Sequence, residues 1–134
     1  MRSAVLPAIG LAALGLSALV LSTVVQAAPA APDPAVRGKV VFVRCQTCHA
    51  TSSSAPKKQG PHLQGIVGRK SGTVAGYAYS PAMKNAKLRF DEATLDRYLT
   101  KPSAMVAGTK MVFAGIPDAN DRKALIAYLR KPVP

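Results

Sequence analysis

The stretch RCQTCHATS, residues 44–52, holds both cysteines of the chain, with His49 directly after the second. Four chemistries use such a pair. A reactive dithiol sits after a strand, at the start of a helix in a βαβ setting. Here the pair ends a predicted helix and no βαβ pattern surrounds it. A closed structural zinc site takes four ligands, and the chain offers no third cysteine and only one further histidine, His62. A plain disulfide would leave His49 as coincidence.

The fourth chemistry gives every residue a task. Two thiols can add to the two vinyl groups of a haem, and the C-x-x-C spacing presents both sulfurs to one porphyrin edge. The adjoining His49 then reaches the iron. Composition agrees with that preference. The chain has 134 residues, no Trp, 3 Phe and 4 Tyr, so aromatic packing mass is thin for one small domain and a tightly held cofactor would enlarge its core. Iron has a second axial position, for which Met83, Met105, Met111 and His62 are the candidates. Methionine more often fills core than ligates. Met111 is the best placed, in a loop between the third and last predicted helices, with Gly108 permitting a tight turn. Two strong axial ligands leave no open position for a substrate, which points to electron exchange.

The rest of the chain predicts a mainly α domain. Residues 35–48 read as a helix with Val36, Val40, Val41 and Val43 as apolar positions. Residues 50–81 read as loop with one short turn near 63–68. A structureless stretch of that length is abnormal in a compact domain, so a cofactor is expected to organise it. Ser80 and Pro81 can start a short helix over 80–87. Residues 90–102 predict a clearer helix, capped by Asp91, with its body from Thr94, Leu95, Tyr98 and Leu99 on one face, and Pro102 as its stop. Residues 103–115 read as loop. The last helix spans about 119–130, capped by Asp118 or Asn120, with Leu125, Tyr128 and Leu129 on one face and Ala124 allowing close approach. No strand alternation and no internal repeat is seen. The expected architecture is three main helices plus a short one, with long loops around one covalent haem, in a domain over 35–134.

Residues 1–27 are of another kind. Between Arg2 and Asp33 there is no charged residue. The apolar run is followed by small residues at 25–27, the layout of a secretory signal cleaved after Ala27. The rival reading is an uncleaved anchor, since residues 4–25 are long enough to cross a bilayer. Either places the domain outside the cytoplasm, in the periplasm. The Ala/Pro segment 28–34 is expected to be a flexible lead-in. The formal charge is +12, and loss of residues 1–27 removes only Arg2, leaving +11. Scattered lysines of this kind suit an acidic protein partner. No helix-turn-helix, zinc-finger spacing or aromatic stacking ladder accompanies them, which argues against nucleic acid.

These motifs together resemble class I cytochrome c, in its bacterial soluble and mitochondrial forms. GKVVFVRCQTCH (38–49) resembles that family's N-terminal helix and attachment site. GPHLQGIVGRKSG (60–72) resembles the loop beneath the proximal ligand, GTKMVFAGI (108–116) the methionine loop, and DRKALIAYLRK (121–131) the C-terminal helix. The resemblance covers about residues 35–131. It implies thioethers at Cys45 and Cys48, His49 as proximal ligand with Pro61 accepting its other ring proton, and Met111 as distal ligand. It implies Tyr98 near the Met111 sulfur, Arg69 and Tyr79 at a haem propionate, and Gly38 where the first and last helices cross.

The chain departs from the family pattern at Phe90 for a common tryptophan, Met83 and His62 for common asparagines, and Ala107 for a common proline. Met105 stands for a frequent tyrosine, and Ser103 and Ala104 for frequent docking lysines. The implied function is an electron carrier, not an enzyme. Its implied partners are a quinol-cytochrome c oxidoreductase as donor and a terminal oxidase or photosynthetic reaction centre as acceptor. A membrane-tethered module of a larger enzyme, or a ligand-binding or weakly peroxidatic haem protein, are the alternatives.

Overall fold

The structure is a computed structural model that describes residues 33–132. The expected leader, the possible anchor at 4–25 and most of the lead-in lie outside the described residues. Five helices follow in chain order: α1 (Pro34–Gln46), α2 (Pro81–Asn85), α3 (Glu92–Thr100), α4 (Pro102–Met105) and α5 (Ala119–Arg130). Three are long and two short, and the described chain has no β-sheet, only an isolated bridge between Lys70 and Arg89. The mainly α expectation holds. Among the described residues no helix is long and apolar enough to cross a membrane.

Local chemistry sets the helix starts. Asp33, expected to belong to the lead-in, instead caps α1: its carboxylate accepts the Ala35 N–H at 2.8 Å, and Pro34 fills the first turn, where a missing N–H costs nothing. Ser80 caps α2 through the Met83 N–H, Asp91 caps α3 through the Thr94 N–H, and Asp118 caps α5 through the Asp121 N–H. The α3 helix already begins at Glu92, because a cap at Asp91 makes the next residue its first. Pro102 does end α3, but it also starts α4, with the Val106 N–H bonded to its carbonyl at 2.9 Å. The expected loop over 103–115 therefore opens with a helical turn.

The core lies between α1, α3 and α5. Leu95, Tyr98 and Leu99 of α3 and Leu125, Tyr128 and Leu129 of α5 are all buried, as their spacing predicts. The buried face of α1 is different from the expected valine face. It consists of Ala35, Gly38, Val41 and Phe42, while Val36, Val40 and Val43 are 56%, 70% and 54% exposed. The reason is the crossing with α5. A Cβ at Gly38 would collide with the Ala124 carbonyl oxygen and stand 2.6 Å from the Tyr128 Cβ. Only the small-residue side of α1 can approach that closely, and Phe42 then packs on Tyr128 with ring centroids 5.3 Å apart.

The segment between α1 and α2 is irregular but not loose. The Gly68 N–H bonds the Phe90 carbonyl, the Phe90 N–H the Arg69 carbonyl, and the Ser71 N–H the Leu88 carbonyl, at 2.8–2.9 Å. This pairing with residues 88–90 supplies order that the sequence reading assigned to a cofactor alone.

Candidate functional site

The last turn of α1 arranges the two cysteines. The N–H groups of Cys48 and His49 both point to the Cys45 carbonyl, at 3.1 and 2.9 Å, so the chain coils on past Gln46 and delivers His49 on the inner side. Both cysteines are half-buried and are not paired with each other in a disulfide. Burial pushes the unattached Cys45 thiol up to about 11.

His49 is fixed from the next loop. Its Nδ1 lies 2.7 Å from the Pro61 carbonyl oxygen. A carbonyl only accepts, so Nδ1 carries the proton and Nε2 keeps its lone pair. Burial holds His49 below its ordinary pKa, against the opposing pull of the Pro61 carbonyl, so the ring is neutral. A residue the sequence reading passed over contributes here. A Cβ at Gly60 would collide with His49 Cε1 and stand 2.7 Å from Nδ1, so the imidazole seat requires glycine. The signal was the Gly60-Pro61 pair itself, read for its proline only.

Met111 stands on the loop after α4. Gly108, with φ of +82°, turns the chain, and the Thr109 N–H closes the turn on the Val106 carbonyl at 3.1 Å. From α3, the Tyr98 hydroxyl donates to the Met111 sulfur at 3.4 Å. Burial raises the Tyr98 pKa, so the hydroxyl keeps its proton. Lys110 turns the other way, donating to the Ala78 carbonyl and lying over the Tyr77 ring at 4.7 Å.

One cavity of about 480 Å³ is lined by the eight residues expected to hold the haem or its iron: Cys45, Cys48, His49, Pro61, Arg69, Tyr79, Tyr98 and Met111. Its walls are largely apolar, from Leu63, Ile66, Met83, Phe90, Leu95, Leu99, Leu125 and Leu129. Met105 and His62 do not line it. His62 Nδ1 is buried without a hydrogen-bond partner, and its carbonyl accepts from Arg69 at 3.0 Å. Arg69 also donates to the Gln64 carbonyl at 2.9 Å, and burial lowers its pKa. Tyr79 accepts the Val74 N–H at 3.4 Å, and burial raises its pKa. Phe90, which has no polar group to offer, packs edge-on against Tyr98 at 5.2 Å.

This donor set suits a haem. A flat apolar group needs a dry cavity of several hundred Å³, two thiols at one rim for attachment, and a neutral nitrogen and a soft sulfur for iron. Among the described residues no three His, Cys, Asp or Glu side chains gather as the ligands of another metal would.

Comparison with known proteins agrees. The family model for cytochrome c matches residues 35–131. Cytochrome c2 of Rhodomicrobium vannielii is 48% identical over 103 residues, covering 77% of this chain and 82% of that protein. Cytochrome c of Gossypium barbadense is 47% identical over 103 residues, covering 76% and 93%. Among solved structures, cytochrome cH from Methylobacterium extorquens superposes with a TM-score of 0.67 at 41% identity, covering 72% of this chain and 96% of that one. The chain therefore belongs to the class I monohaem cytochrome c family, whose members are electron carriers with a single covalently bound haem c rather than enzymes.

Proposed function

We propose that this chain carries single electrons between redox partners on the non-cytoplasmic side of a membrane, with Cys45 and Cys48 as the thioether positions and His49 and Met111 as the axial ligands. The observation that carries the reading is the convergence on one cavity of a neutral, Pro61-oriented imidazole and a Tyr98-contacted methionine sulfur, beside the two thiols. When bound, haem c supplies a one-electron iron couple.

The protein's own part is to hold the two ligand atoms and exclude water. Pro61 keeps the His49 ring in one tautomer and orientation. Tyr98 and the turn at Gly108 present the Met111 sulfur to the cavity. Leu95, Leu99, Leu125 and Leu129 keep the cavity apolar, which favours the less charged ferrous state. Arg69 and Tyr79 line the same cavity and are the candidates to meet a haem carboxylate, Arg69 by charge and Tyr79 by its hydroxyl. With nitrogen and sulfur both committed, no coordination position is left for substrate chemistry.

The location follows from the leader-like residues 1–27 and is the periplasm. The partners are acidic redox proteins, drawn to the basic surface: a quinol-oxidising complex as donor, and a terminal oxidase or photosynthetic reaction centre as acceptor. The uncharged run over 4–25 favours a second form, the same carrier tethered to the membrane, and the intact mass of the purified protein separates the two.

Met111→Ala tests the ligand assignment. The variant is expected to keep covalent haem through Cys45 and Cys48 and to bind added imidazole far more tightly than the parent. A variant that retains a methionine-ligated spectrum rules Met111 out and moves the test to Met83 and Met105.

A further inference from the structure

Beyond the cavity, the least expected group in the protein is Arg122, buried in the first turn of α5. Its guanidinium makes four hydrogen bonds. Nη1 donates to the Ile116 carbonyl at 2.9 Å and to the Pro117 carbonyl at 2.7 Å. Nε donates to Asp96 Oδ1 at 2.8 Å, and Nη2 to Asp96 Oδ2 at 3.4 Å. Asp96 belongs to α3, two residues before Tyr98.

The two carbonyls that Arg122 holds are the exit of the loop that carries Met111. That exit is gripped at two further points. The Ile116 N–H donates to the Leu99 carbonyl at 2.8 Å. Gly115, with φ of +104°, lies so close to α3 that a Cβ there would collide with the Thr100 carbonyl oxygen. Ile116 itself is fully buried. Helix α3 thus meets the loop at its middle, through Tyr98 on the Met111 sulfur, and at its exit, through Leu99 and Thr100. Asp96 and Arg122 close the exit from the α5 side.

We infer that Asp96 and Arg122 are positioning residues for the Met111 loop: their ion pair clamps the loop exit to both α3 and α5, and so sets how readily Met111 leaves the cavity. The inference rests on Met111 being the distal ligand. A buried guanidinium loses most when its carboxylate is removed, because the remaining charge is left unpaired. In Asp96→Asn the Arg122 cation keeps its two carbonyls but loses its counter-charge, so the clamp weakens while side-chain volume is retained. Arg37 offers a comparison at another interhelical ion pair. It donates to Asp121 at 2.7 Å, between α1 and α5, and meets the loop only at its last residue, 3.8 Å from the Asp118 carboxylate, with no hydrogen bond to Ile116 or Pro117.

The test uses the ferric holoprotein with imidazole as the probe, together with amide exchange at Ile116. Asp96→Asn is expected to raise imidazole affinity about fivefold or more, the range of a modest coupling energy, and to speed exchange at the Ile116 N–H. Arg37→Ala should leave both within about twofold of the parent, as for an independent site. Asp96→Glu, which restores the charge, should return most of the difference. If Asp96→Asn lowers only the denaturation midpoint, with imidazole affinity and Ile116 exchange matching Arg37→Ala, the pair is ordinary packing and the inference is wrong. The two readings fail separately. Unchanged imidazole affinity in Met111→Ala overturns the ligand assignment. A large rise in Met111→Ala with none in Asp96→Asn overturns the clamp alone.

Discussion

The Tyr98 hydroxyl sits 3.4 Å from the Met111 sulfur, donating its proton to the thioether across the cavity. With Met111 as the proposed iron ligand, a donor on its sulfur would withdraw electron density that otherwise stabilises ferric iron. Tyr98→Phe removes the donor and little else, since the ring remains packed against Phe90. The expected outcome is a folded protein whose reduction potential falls by about 20–60 mV, the equivalent of one modest hydrogen bond for a one-electron couple. Potentiometric titration of the variant beside the parent checks it, and a rise would reverse the assigned role.

The crossing of α1 and α5 depends on one absent side chain. Gly38→Ala puts a methyl group against the Ala124 carbonyl and the Tyr128 Cβ. Backbone cannot yield as a flexible side-chain tip would, so the helices must separate. The expected cost is about 3 kcal/mol, typical of overpacking at a tight contact, read from denaturant unfolding of the holoprotein. The same change at Gly65, where a Cβ would meet nothing, is the comparison for steric crowding, with the strain of a positive φ as its only cost.

Asp91 makes stability depend on acid. Its carboxylate accepts the Thr94 N–H at 2.7 Å, and that bond holds its pKa below the ordinary carboxylate value, with Arg97 and Arg89 adding to the effect. A depressed folded pKa means that the unfolded chain takes up the proton first as pH falls. The cap therefore contributes fully above the unfolded value and is lost as pH drops through the folded one. Asp118, bonded to the Asp121 N–H at 2.8 Å, behaves in the same way. In Asp91→Asn the stability of the holoprotein should fall less steeply below about pH 4 than in the parent. Identical slopes would show that the cap is not the titrating contact.

How legible all this was differs from element to element. Cys45, Cys48 and His49 could be read because three residue types at fixed spacing have few joint uses. Ser80, Asp91 and Asp118 could be read because a cap is local chemistry, visible within three residues. The buried face of α1 could not be read from its valines. It is chosen by the partner helix, and the residues that mattered, Ala35 and Gly38, carry little apolar signal of their own. Pro102 was read as a stop and proves to be both a stop and a start, since proline is as comfortable in a first turn as it is disruptive inside one. The Arg122 clamp was invisible because its partners, Asp96, Ile116 and Pro117, come from two separate stretches of chain. Its place beside them is a product of α3 meeting α5.

The central claim is that His49 and Met111 are the two axial ligands of one haem. The most direct measurement is the optical spectrum of the purified, oxidised protein in the far red, where charge transfer from methionine sulfur to ferric iron gives a weak band. The account predicts that band in the parent protein and its loss in Met111→Ala, with haem still covalently attached in both. Covalent haem without the band in the parent would contradict the account. It would mean an open or differently ligated iron, and it would put ligand binding ahead of simple electron transfer.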